Sequence, residues 1–202
     1  MFVPVRELRR LIVARLEQHF PPDAADRMAD AVLFGDLAGR STHGIARILP
    51  GSFGPTDEPT GPPPRVERTG PSAARINGSP GMLVAAMATD LTIELASEHG
   101  IALVTTAGSR STSGSLTYYA ERLTNAGLVG ILSANTMSFV TPPGGTARTF
   151  GTNPFAIGIP TTPDCRSSMT SAPPPSASAN WRQRGRRARR SRTGLRSTPR
   201  VR

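Results

Sequence analysis

Lysine is absent from the chain, and cysteine, tryptophan and tyrosine are nearly so, at one, one and two residues in 202. A lone cysteine, Cys165, closes no internal disulfide and builds no zinc site, so stability has to come from burial. The few aromatic rings form no array on which bases could stack. No apolar run reaches the roughly 18 residues that a membrane-spanning helix needs. Arg6, Glu7, Arg9 and Arg10 interrupt the stretch that a signal peptide would keep apolar, so a cytoplasmic protein is expected. The glycine-rich GxGxxG fingerprint and the P-loop pattern are also missing.

What is abundant is arginine, unevenly placed. Residues 1–165 hold 13 arginines and all 14 acidic residues, a net charge of −1. Residues 166–202 hold 11 arginines and no acid, a net charge of +11. The basicity therefore belongs to the tail, and a polyanion or RNA partner could be held only there and without sequence specificity.

Periodicity divides the rest of the chain. Residues 1–49 read as a helical segment: Val5, Leu8, Leu11, Ile12 and Leu16 recur at spacings of three and four, and Pro21 and Pro22 stop the run. Asp23 is placed to cap a second helix whose apolar pattern ends at Gly35. Residues 50–64 are so rich in proline and glycine that an exposed loop is expected. Residues 65–163 alternate short apolar strands with helices over 82–99 and 116–125, closed by Gly100 and Gly127, and Asn77-Gly78 signals a turn. Buried strands are expected at 101–105, 128–132 and 155–159. This alternation implies an α/β fold, a sheet covered by helices behind a helical hairpin. Residues 164–202 lack large apolar side chains and periodicity and are expected to be disordered.

Three places could carry chemistry. In Thr42-His43-Gly44-Ile45-Ala46-Arg47, an imidazole titrating near neutrality stands four residues from a guanidinium able to clamp a carboxylate. Those roles suit a 2-keto acid, with His43 passing the proton and Arg47 fixing the carboxylate. Equally, His43 could be a turn residue and Arg47 a surface charge. The hydroxyl-rich stretch at 109–115 precedes a helix, so it could receive a phosphate or cap its own helix. Gly151-Thr152-Asn153-Pro154 has ordinary turn chemistry.

Taken in order, Thr42-His43-Gly44-Ile45-Ala46-Arg47, Asn77-Gly78 to Gly81-Met82, Tyr118-Tyr119-Ala120, Pro142-Pro143-Gly144-Gly145 and Gly151-Thr152-Asn153-Pro154 resemble the type-2 malate/L-lactate dehydrogenase family. The resemblance covers residues 1 to about 162. It implies that family's own α/β arrangement, which binds NAD or NADP without GxGxxG, usually as a homodimer. It also implies hydride transfer between the nicotinamide cofactor and a small 2-hydroxy or 2-keto acid, or an imino acid. By position, His43 is similar to the family's proton donor, Thr42 to the serine that assists it, and Arg47 to the carboxylate-binding residue. Thr112, Ser113, Gly114, Ser115 and Leu116 match the cofactor-contacting segment, with Thr112 where histidine is frequent. Thr152 matches a substrate-side threonine.

The chain departs from the family after the third strand. Where the family has an aspartate-bearing segment, Ser167-Ser168-Met169-Thr170-Ser171 has none. The arginine, serine, proline and alanine beyond are what a GC-rich message yields out of frame. The expectation is therefore a truncated, inactive member whose reading frame changes near Asp164, the alternative being a polyanion-binding protein acting through the arginine tail.

Overall fold

The computed structural model describes residues 3–57, 63–161 and 167–171. Helix α1, Val5–Leu16, and helix α2, Pro22–Leu37, form the opening hairpin. Ile12 and Leu16 are fully buried and Leu8 partly so, a stripe at spacings of four, whereas Val5 and Leu11 stay exposed. This stripe meets Ala25, Met28, Ala29 and Val32 of α2 in one apolar cluster that also takes in Ile48, Met82 and Leu83. Arg9 ties the hairpin together from outside, reaching Asp26 at 2.9 Å and Asp30 at 2.8 Å.

Two expected boundaries move. Pro21, not Asp23, stands at the N-cap of α2, and Pro22 fills its first turn, where a missing N–H costs nothing. The helix also continues through Gly35 to Leu37. Gly35 is a contact position, because a Cβ there would overlap the His43 carbonyl and the Gly44 nitrogen.

After two short 3-10 turns, Ser41–His43 and Ile45–Ile48, the stretch expected to be an exposed loop is partly built. Pro55–Asp57 form a further 3-10 turn, Gly54 and Pro55 are buried, and the Asp57 carboxylate accepts the Gly51 and Ser52 amides at 2.8 and 2.6 Å.

Strands β1, Arg65–Gly70, and β2, Ala73–Asn77, pair antiparallel, with their turn at residues 71–72 and not at Asn77-Gly78. Gly78 instead leads into α3, Gly81–His99, which crosses over so that β3, Leu103–Ala107, lies parallel to β2. Gly100 closes α3 at φ +78°, a left-handed value that glycine adopts without strain. Helix α4, Leu116–Asn125, and strand β4, Gly130–Ser133, repeat the helix-then-strand unit. Strand β4 neighbours β5, Phe155–Ile159, which neighbours β6, Ser167–Ser171, so the sheet orders are β1-β2-β3 and β4-β5-β6. The α/β class is therefore as the sequence implies. Asp90 of α3 joins the helices by pairing with Arg27 of α2 and with Arg122 of α4, the latter at 2.5 Å.

The three strands expected to be buried all carry exposed apolar side chains: Leu103 is 65%, Ile131 77% and Ile159 49% exposed. The expected disorder of the tail concerns residues outside the described set, except Ser167–Ser171, which form β6.

Contacts divide the chain into two units, residues 1–132 with 156–170 and residues 133–155 with 171–202. In the described part of the second unit, Val140 bridges Phe150 antiparallel. The Thr136 hydroxyl accepts the Thr152 amide at 2.7 Å, and the Asn153 side chain accepts the Thr136 amide at 3.0 Å.

Candidate functional site

The turn that carries the imidazole is fixed by two glycines and one carboxylate. Asp36, in the last turn of α2, accepts the Ile45 amide at 2.6 Å. Gly44 lies directly on that carboxylate, where a Cβ would overlap it. With Gly35 beneath the His43 carbonyl, the chain doubles back against α2 more closely than side chains would permit. The His43 amide donates to the Arg40 carbonyl at 2.8 Å and closes the turn.

Within this turn Thr42 touches both side chains that the sequence singled out. Its hydroxyl is 3.0 Å from His43 Nδ1, and its carbonyl oxygen accepts Arg47 Nε at 2.5 Å. Arg47 Nη1 donates to the Ser52 carbonyl at 2.6 Å. No other partner of the guanidinium is found among the described residues, so Nη2 keeps its two donors. His43 is half-buried. Burial, and then the positive charges of Arg47 and Arg40, lower its pKa from the ordinary value. At neutral pH the ring is neutral, with one nitrogen held by Thr42 and Nε2 left over.

The hydroxyl-rich stretch is connected to this turn. Phe53, next to the Ser52 that braces Arg47, accepts the Thr112 amide through its carbonyl at 3.0 Å. Of the two readings open for the stretch, capping accounts for Ser111, though the helix capped is α3 and not α4, while Thr112 closes a turn within the loop itself. Ser111 Oγ accepts the Gly81 amide at 2.9 Å, and Thr112 Oγ1 accepts the Gly114 amide at 3.0 Å. Buried Tyr119 fastens the loop from below, its hydroxyl donating to the Ser113 carbonyl at 2.7 Å. Burial pushes the phenol pKa far up, so it stays a donor.

Residues 112–116 still fit a dinucleotide phosphate in part. Helix α4 begins with no side-chain cap on its first-turn amides, and the buried Ser109 Oγ has no hydrogen-bond partner. Thr152 lies in the other unit, where its hydroxyl is 3.1 Å from that of Thr136. A cavity of about 440 Å³ is lined by His19, Pro21, Pro55, Thr56, Pro80 and Met87 and by none of these residues.

Sequence reasoning assigned no role to Asp36, Ser52, Phe53 or Tyr119. Ser52 and Phe53 act through their own carbonyls, which leave no mark in residue type, whereas Asp36 acts through its carboxylate on a backbone amide nine positions away. Phe53 gives one structural sign, a positive φ of 56°, uncommon for a non-glycine residue.

The fold and the turn define a class, an α/β protein with an imidazole and a guanidinium held by one threonine beside a loop between two helix starts. The chain belongs to the malate/L-lactate dehydrogenase family, whose model matches residues 3–170. It is 34% identical over 166 residues to the L-sulfolactate dehydrogenase of Methanothermobacter thermautotrophicus, covering 78% of this chain and 47% of that protein. It is also 34% identical over 164 residues to the malate dehydrogenase of Pyrococcus abyssi, covering 79% of this chain and 45% of the relative. Among solved structures, malate dehydrogenase from Pyrococcus horikoshii OT3 superposes with a TM-score of 0.76 at 33% identity, over 85% of this chain and 50% of that one. The chain thus spans about half the length of the relatives it matches. The comparisons lend no support to RNA binding, and the arginine tail invoked for it lies largely outside the described residues. No helix among the described residues is long and apolar enough to cross a membrane.

Proposed function

We propose that this chain carries the proton-transfer and carboxylate-binding half of a dehydrogenase site for a small 2-hydroxy or 2-keto acid, or an imino acid. The observation that carries the reading is the double contact of Thr42, which holds the His43 ring by its hydroxyl and the Arg47 guanidinium by its carbonyl. Imidazole and guanidinium are thereby offered as a pair, and orientation of both groups is what such a reaction requires.

When bound, NAD or NADP would supply or take the hydride. Residues Thr112, Ser113, Gly114, Ser115 and Leu116 would hold it, through the uncapped start of α4. Arg47 uses Nη2 for the substrate carboxylate and so sets which face of the carbonyl is presented. His43 gives a proton to the carbonyl oxygen in reduction and takes it from the hydroxyl in oxidation. Its lowered pKa favours the neutral ring, so at neutral pH it is poised as the base for oxidation, and reduction gains as pH falls. The reading brings with it the homodimer that the resemblance implies and the cytoplasmic setting expected from the charged N-terminal stretch.

The test is a titration with oxamate, a 2-keto acid mimic, followed through the NMR signals of the His43 ring. Shifts that vanish in Arg47→Met are expected, and an unmoved ring would end the carboxylate assignment. The 202 residues alone are expected to oxidise neither NADH nor NADPH with pyruvate, oxaloacetate or a cyclic imino acid. Hydride transfer needs a closed, dry site, and the relatives are about twice as long. Steady cofactor oxidation would overturn that expectation.

A further inference from the structure

Arg40 is a second guanidinium on the turn that carries His43, and it takes no part in the chemistry proposed for His43 and Arg47. Its main chain is fixed: the Arg40 amide donates to the Gly35 carbonyl at 2.7 Å, and its carbonyl accepts the His43 amide at 2.8 Å. The second of these bonds closes the turn Ser41–His43. In a 3-10 turn, side chains three positions apart lie one over the other, so Arg40 and His43 share an edge. The electrostatics agree with that placement. After burial and Arg47, the charge of Arg40 is a further cause of the lowered His43 pKa. The Arg40 side chain is exposed and makes no ion pair or hydrogen bond among the described residues. Asp36, the carboxylate built into the turn, faces the Ile45 amide instead. Arg40 and Arg47 therefore bracket the imidazole along the chain, each with guanidinium donors unused.

We propose that Arg40 is a specificity-determining residue, binding a second anionic group of a 2-hydroxy or 2-keto acid whose first carboxylate lies on Arg47. A monoanionic acid pairs with Arg47 and leaves the second cation facing only water. A dianionic acid pairs with both, and a guanidinium bonds an anionic group more strongly than a neutral one. Because Arg40 has no partner to give up, the contact costs only the ordering of its side chain. The inference rests on the carboxylate role of Arg47 and adds the chemistry at the other end of the substrate.

The test compares malate with the monoamide formed at its carboxylate remote from the hydroxyl, which has the same length and one charge fewer. Each is titrated into the full chain at low ionic strength, where charge contacts are least screened, and the His43 ring is followed by NMR. Malate should half-saturate the ring shift at a concentration about fivefold below that of the amide. Arg40→Gln keeps both main-chain bonds of the turn and should weaken malate to the level of the amide. Arg65→Gln removes the same charge from strand β1 and should preserve the preference. Equal affinity of the wild-type chain for the two acids overturns the inference. So does a preference that survives Arg40→Gln, one that Arg65→Gln also removes, or loss of both ligands in Arg40→Gln. Each of these outcomes leaves the wild-type shift by the amide standing, and with it the carboxylate role of Arg47. A ring unmoved by either acid removes both.

Discussion

Arg47 donates through Nε to the carbonyl oxygen of Thr42 at 2.5 Å, and the same threonine's hydroxyl is 3.0 Å from the His43 ring. The guanidinium is therefore held close enough to act on the imidazole electrostatically, and its charge is the second cause, after burial, of the lowered His43 pKa.

The His43 ring should titrate below the ordinary histidine value of about 6.5 in a carbon-detected NMR titration. Arg47→Met, which keeps the aliphatic length and removes the charge, should move the midpoint upward. A midpoint at or above the ordinary value in the wild-type chain would contradict both the burial and the charge.

The same shift makes stability depend on pH. The folded ring binds its proton less readily than the unfolded one, so its contribution is fully present above the unfolded pKa and is lost as pH falls toward the folded one. Urea unfolding at about pH 7.5 and about pH 5.5 should give the higher midpoint at the higher pH, and His43→Gln should flatten the difference. An unchanged slope in that variant would remove His43 as its source. Glu7 and Asp57, whose pKa values are also lowered, add a slope of the same sign in the more acidic carboxylate range.

Gly44→Ala should cost about 1–3 kcal/mol in a denaturant titration, because the new Cβ overlaps the Asp36 carboxylate that holds the Ile45 amide. The His43 ring signals should shift as the turn is displaced. Loss of stability without any change at His43 would show that the turn does not position the ring.

Ser111→Ala should lower stability by about 0.5–2 kcal/mol, the range for losing a helix cap, since Ser111 Oγ accepts the first amide of α3. Exchange of the Gly81 amide should quicken. A neutral substitution would return this hydroxyl to the pool available to a ligand.

The sequence by itself determined most of the local structure. Spacings of three and four marked α1, Gly100 and Gly127 closed the segments that became α3 and α4, and the proline pair separated the opening hairpin. It also determined the order of motifs that marked the family, and which imidazole and guanidinium to examine. These are properties of chain neighbours, and residue type and spacing record them. Tertiary structure decided what Gly35 is for, because overlap with His43 depends on a segment eight positions away folding back. It also assigned the Ser111 hydroxyl to α3, thirty positions upstream, and made the Ser52 and Phe53 carbonyls the link between Arg47 and Thr112. Only tertiary structure could show that Leu103 and Ile131 face outward, since an apolar strand reads the same whether its second face is covered or bare.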